Sequence, residues 1–154
     1  MGVEQRFLKK NSDKIPPGEQ VLGVVLAEPK GAAWRRGMNQ AGALTSVVAA
    51  ATKMGQMDAA HSGDVAVWPE ALAFWIVLTD KQMHVFGGRV GSDQIDPNGA
   101  QYPYDRIAKI EIDKKLLISK LNIAFKDGTS IELGLAKQKL QPFVDAAQAR
   151  VAST

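Results

Sequence analysis

Three observations predict a mainly β domain of about seven antiparallel strands, closed by a C-terminal helix. First, apolar runs with strand-like alternation fill most of the chain from Leu72 to Leu135, the period-two signal of half-buried strands. Second, turn residues separate those runs, above all Asp127-Gly128, a tight-hairpin pair in which both residues tolerate φ > 0. Third, the period changes at the end. Leu140, Phe143, Val144, Ala147 and Val151 recur at i, i+3, i+4, i+7 and i+11, one stripe of an amphipathic helix.

The elements follow in order. Residues 3–11 read as a short helix with Phe7 and Leu8 as its apolar contacts, ended by Ile15-Pro16-Pro17-Gly18, since proline lacks the N–H and fixes φ. Residues 1–19 thus form an N-terminal helix and arm. Gln20 to Ala27 is the first strand, stopped by Glu28-Pro29-Lys30-Gly31. Residues 31–70 are a long Ala/Gly-rich insertion between the first and second strands, with a helix expected over 40–57 from the spacing of Leu44, Val47, Val48, Ala51 and Met54. An insertion of this length is unusual in a compact domain and is typically functional or disordered.

Leu72 to Thr79 and Met83 to Phe86 flank the polar corner Thr79-Asp80-Lys81-Gln82. Gly87 to Gln101 reads as a glycine- and aspartate-rich loop, with Pro97-Asn98-Gly99 as its turn. Ile107 to Asp113 alternates, with Ala108, Ile110 and Ile112 on one face and Lys109, Glu111 and Asp113 on the other. Leu116–Ser119, Leu121–Lys126 and Ser130–Leu135 complete the count of seven. The last helix, over 138–152, accommodates Pro142 in its first turn and closes one open end of a barrel. The whole chain, 1–154, reads as a single domain.

Composition narrows the function classes. The 154 residues include no cysteine, which excludes disulfides, thiolate catalysis and cysteine metal sites and fits a reducing cytosol. Formal charge is +3, too small a balance to imply nucleic acid, and no run of like charges reads as a nucleic-acid arm. The excess is uneven: residues 1–36 carry seven Lys/Arg against four Asp/Glu. The N-terminus MGVEQRFLKKNSDK lacks an apolar core and does not read as a secretory signal. Arg6 stands where myristoylation wants Ser or Thr. The longest uncharged run, Gly37 to Thr52, is too short and too rich in small residues to span a bilayer. The expected compartment is cytoplasmic, with the inner membrane face as an alternative location.

The order of these elements resembles the pleckstrin-homology-like fold, and the chain is most similar in pattern to bacterial PH-like and GRAM-like domains. Three pieces carry the resemblance: LAFWIVLTDKQMHVFGG, with its threonine-aspartate corner; YDRIAKIEID; and LNIAFKDGTSIELGL followed by the striped helix. They span about Gln20–Ala27 and Leu72–Ala152. The resemblance implies a PH-like barrel and a non-catalytic module that binds proteins, lipid headgroups or itself. Lys30 sits where a phosphoinositide-binding relative places a lysine. The second strand, however, has no basic residue, and Gln82 stands at the corner position beside Lys81.

Two groups of residues are candidate contact sites. Lys30, Trp34, Arg35, Arg36 and Lys53 combine an indole with guanidinium and ammonium groups, the chemistry of an anionic membrane interface. Leu44, Val47, Val48, Trp68 and Trp75 are candidate interface residues, because aromatic and apolar side chains concentrate at subunit contacts. Leu72 to Thr79 is apolar on both faces and should be covered on both, by the insertion or N-terminal helix on the outer side or by another subunit. His61 and His84 lack a second ligand at metal spacing and read as surface residues, His84 on the polar face of its strand. No GxSxG, phosphate-cradling loop or paired-carboxylate signature is present. The expectation is a non-enzymatic interaction module without cofactor or metal, whose partner is an unidentified protein or a second copy of the chain. The alternatives are peripheral binding to anionic lipid and carriage of a small apolar ligand, the latter disfavoured by the large Ile, Leu and Phe residues assigned to the interior.

Overall fold

The computed structural model describes residues 2–29, 68–69, 71–88, 94–114, 118–136 and 138–151. Helix α1 (Val3–Asn11) is followed by a 3-10 turn (Ser12–Lys14). The strands are β1 (Val21–Pro29), β2 (Ala73–Thr79), β3 (Gln82–Gly88), β4 (Ile95–Pro103), β5 (Ile107–Asp113), β6 (Ser119–Phe125) and β7 (Ser130–Leu135). Helix α2 (Gln141–Val151) ends the order. All pairings are antiparallel and make one sheet, β4-β3-β2-β1-β7-β6-β5. The ladder is open, with β4 and β5 as its edges. The mainly β architecture and the C-terminal helix are as expected from periodicity.

The sheet is strongly bent. β4 and β6 lie five strand steps apart, about 24 Å in a flat sheet at ~4.8 Å per step. Yet the rings of Tyr102 on β4 and Phe125 on β6 have centroids 4.8 Å apart. The two halves therefore face each other across a shared core, filled by residues such as Ile76, Leu78, Met83, Val85, Tyr102, Leu121, Ile123 and Leu133. Helix α2 adds Phe143, Ala146 and Ala147 to this inner layer. Pro142 does lie in its first turn, where a missing N–H costs nothing.

A second apolar layer sits on the other face of β1–β3. There Phe7 and Ile15 cover Val24, Trp75, Val77 and Phe86. This is why β2 is buried along its full length: the inner core takes one face and the N-terminal helix takes the other.

Several features differ from the sequence reading, although seven strands are also found among the described residues. The 87–101 segment contains β4. Its Pro97-Asn98-Gly99 turn signal falls within a register shift against β3, between Phe86 and Gly88, on an edge strand. Proline and turn formers are tolerated at such a place because no second neighbour needs their N–H. Strand β6 runs from Ser119 to Phe125 and takes in most of the run read over 121–126, while Leu116 and Leu117 of the preceding run lie outside the described residues. In β5, Ala108 is not on the isoleucine face. The register shifts between Ile107 and Lys109, so Ala108 is a bulge residue and is exposed.

The β6–β7 hairpin also uses its turn differently from the tight two-residue pattern. Only Gly128 has positive φ, at 92°, and no non-glycine residue among those described does. The Gly128 N–H donates to the Phe125 carbonyl at 3.1 Å, giving a three-residue connection with glycine in the left-handed position. Asp127 Oδ1 accepts from the Thr129 N–H and hydroxyl, at 2.9 and 2.6 Å.

Helix α2 reaches the sheet because Gly23 has no side chain. A Cβ there would lie 2.8 Å from Phe143 Cα, closer than real contacts allow. Gly23→Ala should therefore lift α2 from β1 and cost about 1–3 kcal/mol, the range for overpacking a filled site. Gly134→Ala, whose Cβ would meet Ile118 at an ordinary 3.5 Å, should be near neutral. Urea unfolding of the two variants checks the contrast.

Candidate functional site

Eight of the ten residues singled out from the sequence lie outside the described residues: Lys30, Trp34, Arg35, Arg36, Lys53, Leu44, Val47 and Val48. The expected helix over 40–57 and His61 lie there too. The two that are described, Trp68 and Trp75, are both inside the chain. Trp68 packs edge-to-face on Phe74 at 5.7 Å and beside Tyr102 at 6.1 Å. Trp75 is fully buried, 5.9 Å from Phe7, with the Arg6 guanidinium 5.7 Å from its ring centroid, a cation–π arrangement. In this conformation neither indole presents a surface to a second protein.

The reading of His84 as a surface residue is overturned. It is fully buried, because the segment after α1 lays a carboxylate over it. His84 Nε2 and Glu19 Oε1 are 2.8 Å apart. A carboxylate only accepts, so Nε2 carries the proton in this bond. Thr79 Oγ1 donates to the same oxygen at 2.7 Å, and Gln82 Nε2 donates to Glu19 Oε2 at 3.1 Å. Burial pushes the Glu19 carboxyl up, but the hydrogen bonds from His84, Thr79 and Gln82 outweigh it and hold the group below its ordinary range. His84 Nδ1 is buried without a hydrogen-bond partner.

The threonine-aspartate corner explains itself in the same cluster. Thr79 Oγ1 accepts from the Lys81 and Gln82 N–H groups at 3.1 and 3.2 Å, closing the β2–β3 turn in the manner of local hydroxyl-to-backbone bonds. Asp80 Oδ1 accepts from the Gln20 N–H at 2.8 Å, and the Asp80 N–H donates to the Gln20 carbonyl at 3.0 Å. The Gln20 N–H, with the nearby Lys81 charge, draws the Asp80 carboxyl below its usual value. The Tyr104 hydroxyl donates to the Thr79 carbonyl at 2.6 Å, and burial raises that phenol. Among the described residues no three His, Asp or Glu side chains converge as metal ligands. The cluster's evident work is to bind residues 19–20 to the sheet.

A different place is open to a ligand. Edge strand β5 and helix α2 bound a groove of about 400 Å³, lined by residues 110–114 and by Val144, Ala147 and Gln148. Ile110 and Ile112 are half-buried in it, while Lys109, Glu111 and Asp113 are exposed. An outer strand keeps one row of backbone N–H and C=O groups without a neighbouring strand. The groove thus combines a strand with no strand beside its outer edge among the described residues, an apolar floor and a helical wall. The alternation of Ile107–Asp113 was legible in the sequence, but its edge position was not.

No helix among the described residues is long and apolar enough to cross a membrane. No protein-family model matches the chain, and no curated protein matches it significantly.

Thr79→Val keeps the shape of the side chain but removes the hydroxyl that serves Glu19 and two turn N–H groups. It should destabilise by about 1–3 kcal/mol, the cost of leaving such groups unsatisfied, read by urea denaturation. Acid should also weaken the fold, with a definite sign. Carboxyls held low in the folded state add stability above their ordinary range and lose it as pH falls through their folded values. The thermal midpoint should therefore fall between about pH 5 and pH 2. Asp80→Asn, which keeps an acceptor for the Gln20 N–H, should flatten part of that fall.

Proposed function

We propose that the chain is a PH-like, non-catalytic interaction module that takes an extended segment of a partner protein along β5, in the groove against α2. The strand order β4-β3-β2-β1-β7-β6-β5 with a terminal helix on β1 and β5 supports the PH-like reading suggested by the TD corner and the striped helix. In that reading the two facing halves of the bent sheet are the walls of a partly open barrel.

The observation that carries the binding assignment is the edge position of β5 beside a half-buried apolar floor. A strand added there would pair with the outer side of β5, which no strand among the described residues covers, for affinity, and use the Ile110–Ile112 face for selectivity. A second copy offering its own β5 would satisfy the same edge, which is the form self-association would take. Carriage of a small apolar ligand between the sheet halves is not favoured, because large side chains occupy that space. The anionic-membrane alternative rests on Lys30, Trp34, Arg35, Arg36 and Lys53, and its test is separate.

Peptides selected from a random library against the full chain should bind wild type and lose at least about tenfold with Val144→Arg, a difference of ~1.4 kcal/mol. Light scattering across concentration reports whether a second copy competes. Peptide binding that survives Val144→Arg would move the site elsewhere. Salt-sensitive binding to anionic vesicles, lost in the Trp34→Ala, Arg35→Ala, Arg36→Ala triple, would assign the chain to the membrane instead.

A further inference from the structure

We propose that residues 2–20 form a strap that undocks from the sheet as one unit, with the Glu19 carboxylate as its latch and acid as its trigger. This concerns the outer face of β1–β3, away from the β5 groove, and does not depend on the binding reading above.

The strap's apolar contacts belong to a layer of their own. Phe7 and Ile15 pack with Val24, Trp75, Val77 and Phe86, and no residue of the strap belongs to the inner core between the sheet halves. Undocking therefore removes one layer and leaves the other intact, the condition for a cooperative sub-global opening. The joint is built for a change of direction: Pro16-Pro17-Gly18 precedes the latch, Gly18 has φ 92°, and the Glu19 N–H donates back to the Pro16 carbonyl at 3.2 Å.

The latch is charge-dependent, and it sits beside a second fastening, the Gln20–Asp80 pair of bonds. Three donors from the sheet converge on the Glu19 carboxylate: His84 Nε2, Thr79 Oγ1 and Gln82 Nε2. Protonation removes the charge that strengthens all three bonds and gives the carboxyl a donor of its own, which faces the Gln82 amide donor, beside a fully buried imidazole whose Nδ1 has no hydrogen-bond partner. A buried polar group left unmatched is costly.

The other charged or titratable groups nearby do not replace the latch. Tyr104, from the turn after β4, gives its hydroxyl to Thr79 and bears on Glu19 only through space. Asp80 is engaged with Gln20, beside Lys81, and Arg150 of α2 acts on Asp80 and Tyr104. On the strap itself, Arg6 lies over Trp75, and Lys14 and Asp13 are mutually 3.9 Å apart at the surface. Because Glu19 is held below its ordinary range, docking is complete above that range, near 4.5, and is lost as pH falls below it. Release uncovers Trp75, Phe86 and His84.

The test is an amide NMR titration of the full chain from about pH 7 to pH 3, the span over which a carboxylate latch would titrate. The α1 amides and the Trp75 indole should lose their docked positions at a higher pH than the amides of β5–β7 lose theirs. Glu19→Gln is the neutral isostere of the protonated latch, so it should loosen α1 at pH 7 and remove the pH dependence of its docking. Glu19→Ala should show α1 undocked at pH 7. A single transition for α1 and the sheet in wild type, a Glu19→Gln chain docked as firmly as wild type at pH 7, or its undocking at the wild-type pH would overturn the proposal. Should Glu19→Ala fail to fold, the wild-type and Glu19→Gln titrations still decide it.

Discussion

Everything in this structure depends on how β1 divides its hydrogen bonds. It pairs with β2 from Val21 to Ala27 but with β7 only from Ala27 to Pro29. Its two neighbours share little more than one residue, so the sheet cannot continue flat through β1 and its halves diverge. Beyond the β7 ladder, the Gln138 side chain takes over. Its Oε1 accepts from the Leu26 N–H and its Nε2 donates to the Leu26 carbonyl, both at 2.9 Å. An amide side chain thus does for one residue what a strand would have done, matching both backbone groups of Leu26.

Because the halves diverge at β1, the inner face opens a wedge that must be filled. Helix α2 fills it, approaching the backbone at Gly23 and inserting Phe143. The same helix then forms a wall beside β5 at the far edge, so the candidate groove is a by-product of closing the core. On the opposite face, β1–β3 offer a second apolar surface, which the N-terminal helix covers. Two nonpolar layers on one sheet explain how a chain with few aromatic residues buries a strand as apolar as β2 on both sides.

The two layers are held by different physics. The inner one is almost wholly nonpolar and closed by side chains from all seven strands and α2. The outer one combines Phe7 with a polar fastening in which one carboxylate answers three donors. Burial of that carboxylate is tolerable because its lone pairs are matched. The β2–β3 corner, with Thr79 and Asp80, supplies both the turn and the fastening. That double duty gives the TDKQ corner a structural reason that needs no catalytic role.

Much of the fold was legible in the sequence where the signal is local. The helix over 3–11, the first strand, the β2–β3 hairpin and the striped final helix each follow from periodicity and turn residues over short spans, as does the apolar character of both faces of β2. Tertiary structure decided the rest, because those features join residues far apart in the chain. β4 was hidden because its Pro97-Asn98-Gly99 run reads as a turn, and only an edge position with a register shift makes it a strand. His84 looked like a surface histidine because its partner, Glu19, is 65 positions away. The groove depends on β5 being the sheet's edge and on α2 crossing to it, and strand order is not written in any one strand. Local sequence accounts for the helices, most of the strands and most of their apolar faces, since these depend on neighbours within a few residues. Which faces meet, which strands lie at the edges of the described sheet and which polar groups are buried together were settled by the way β1 splits the sheet.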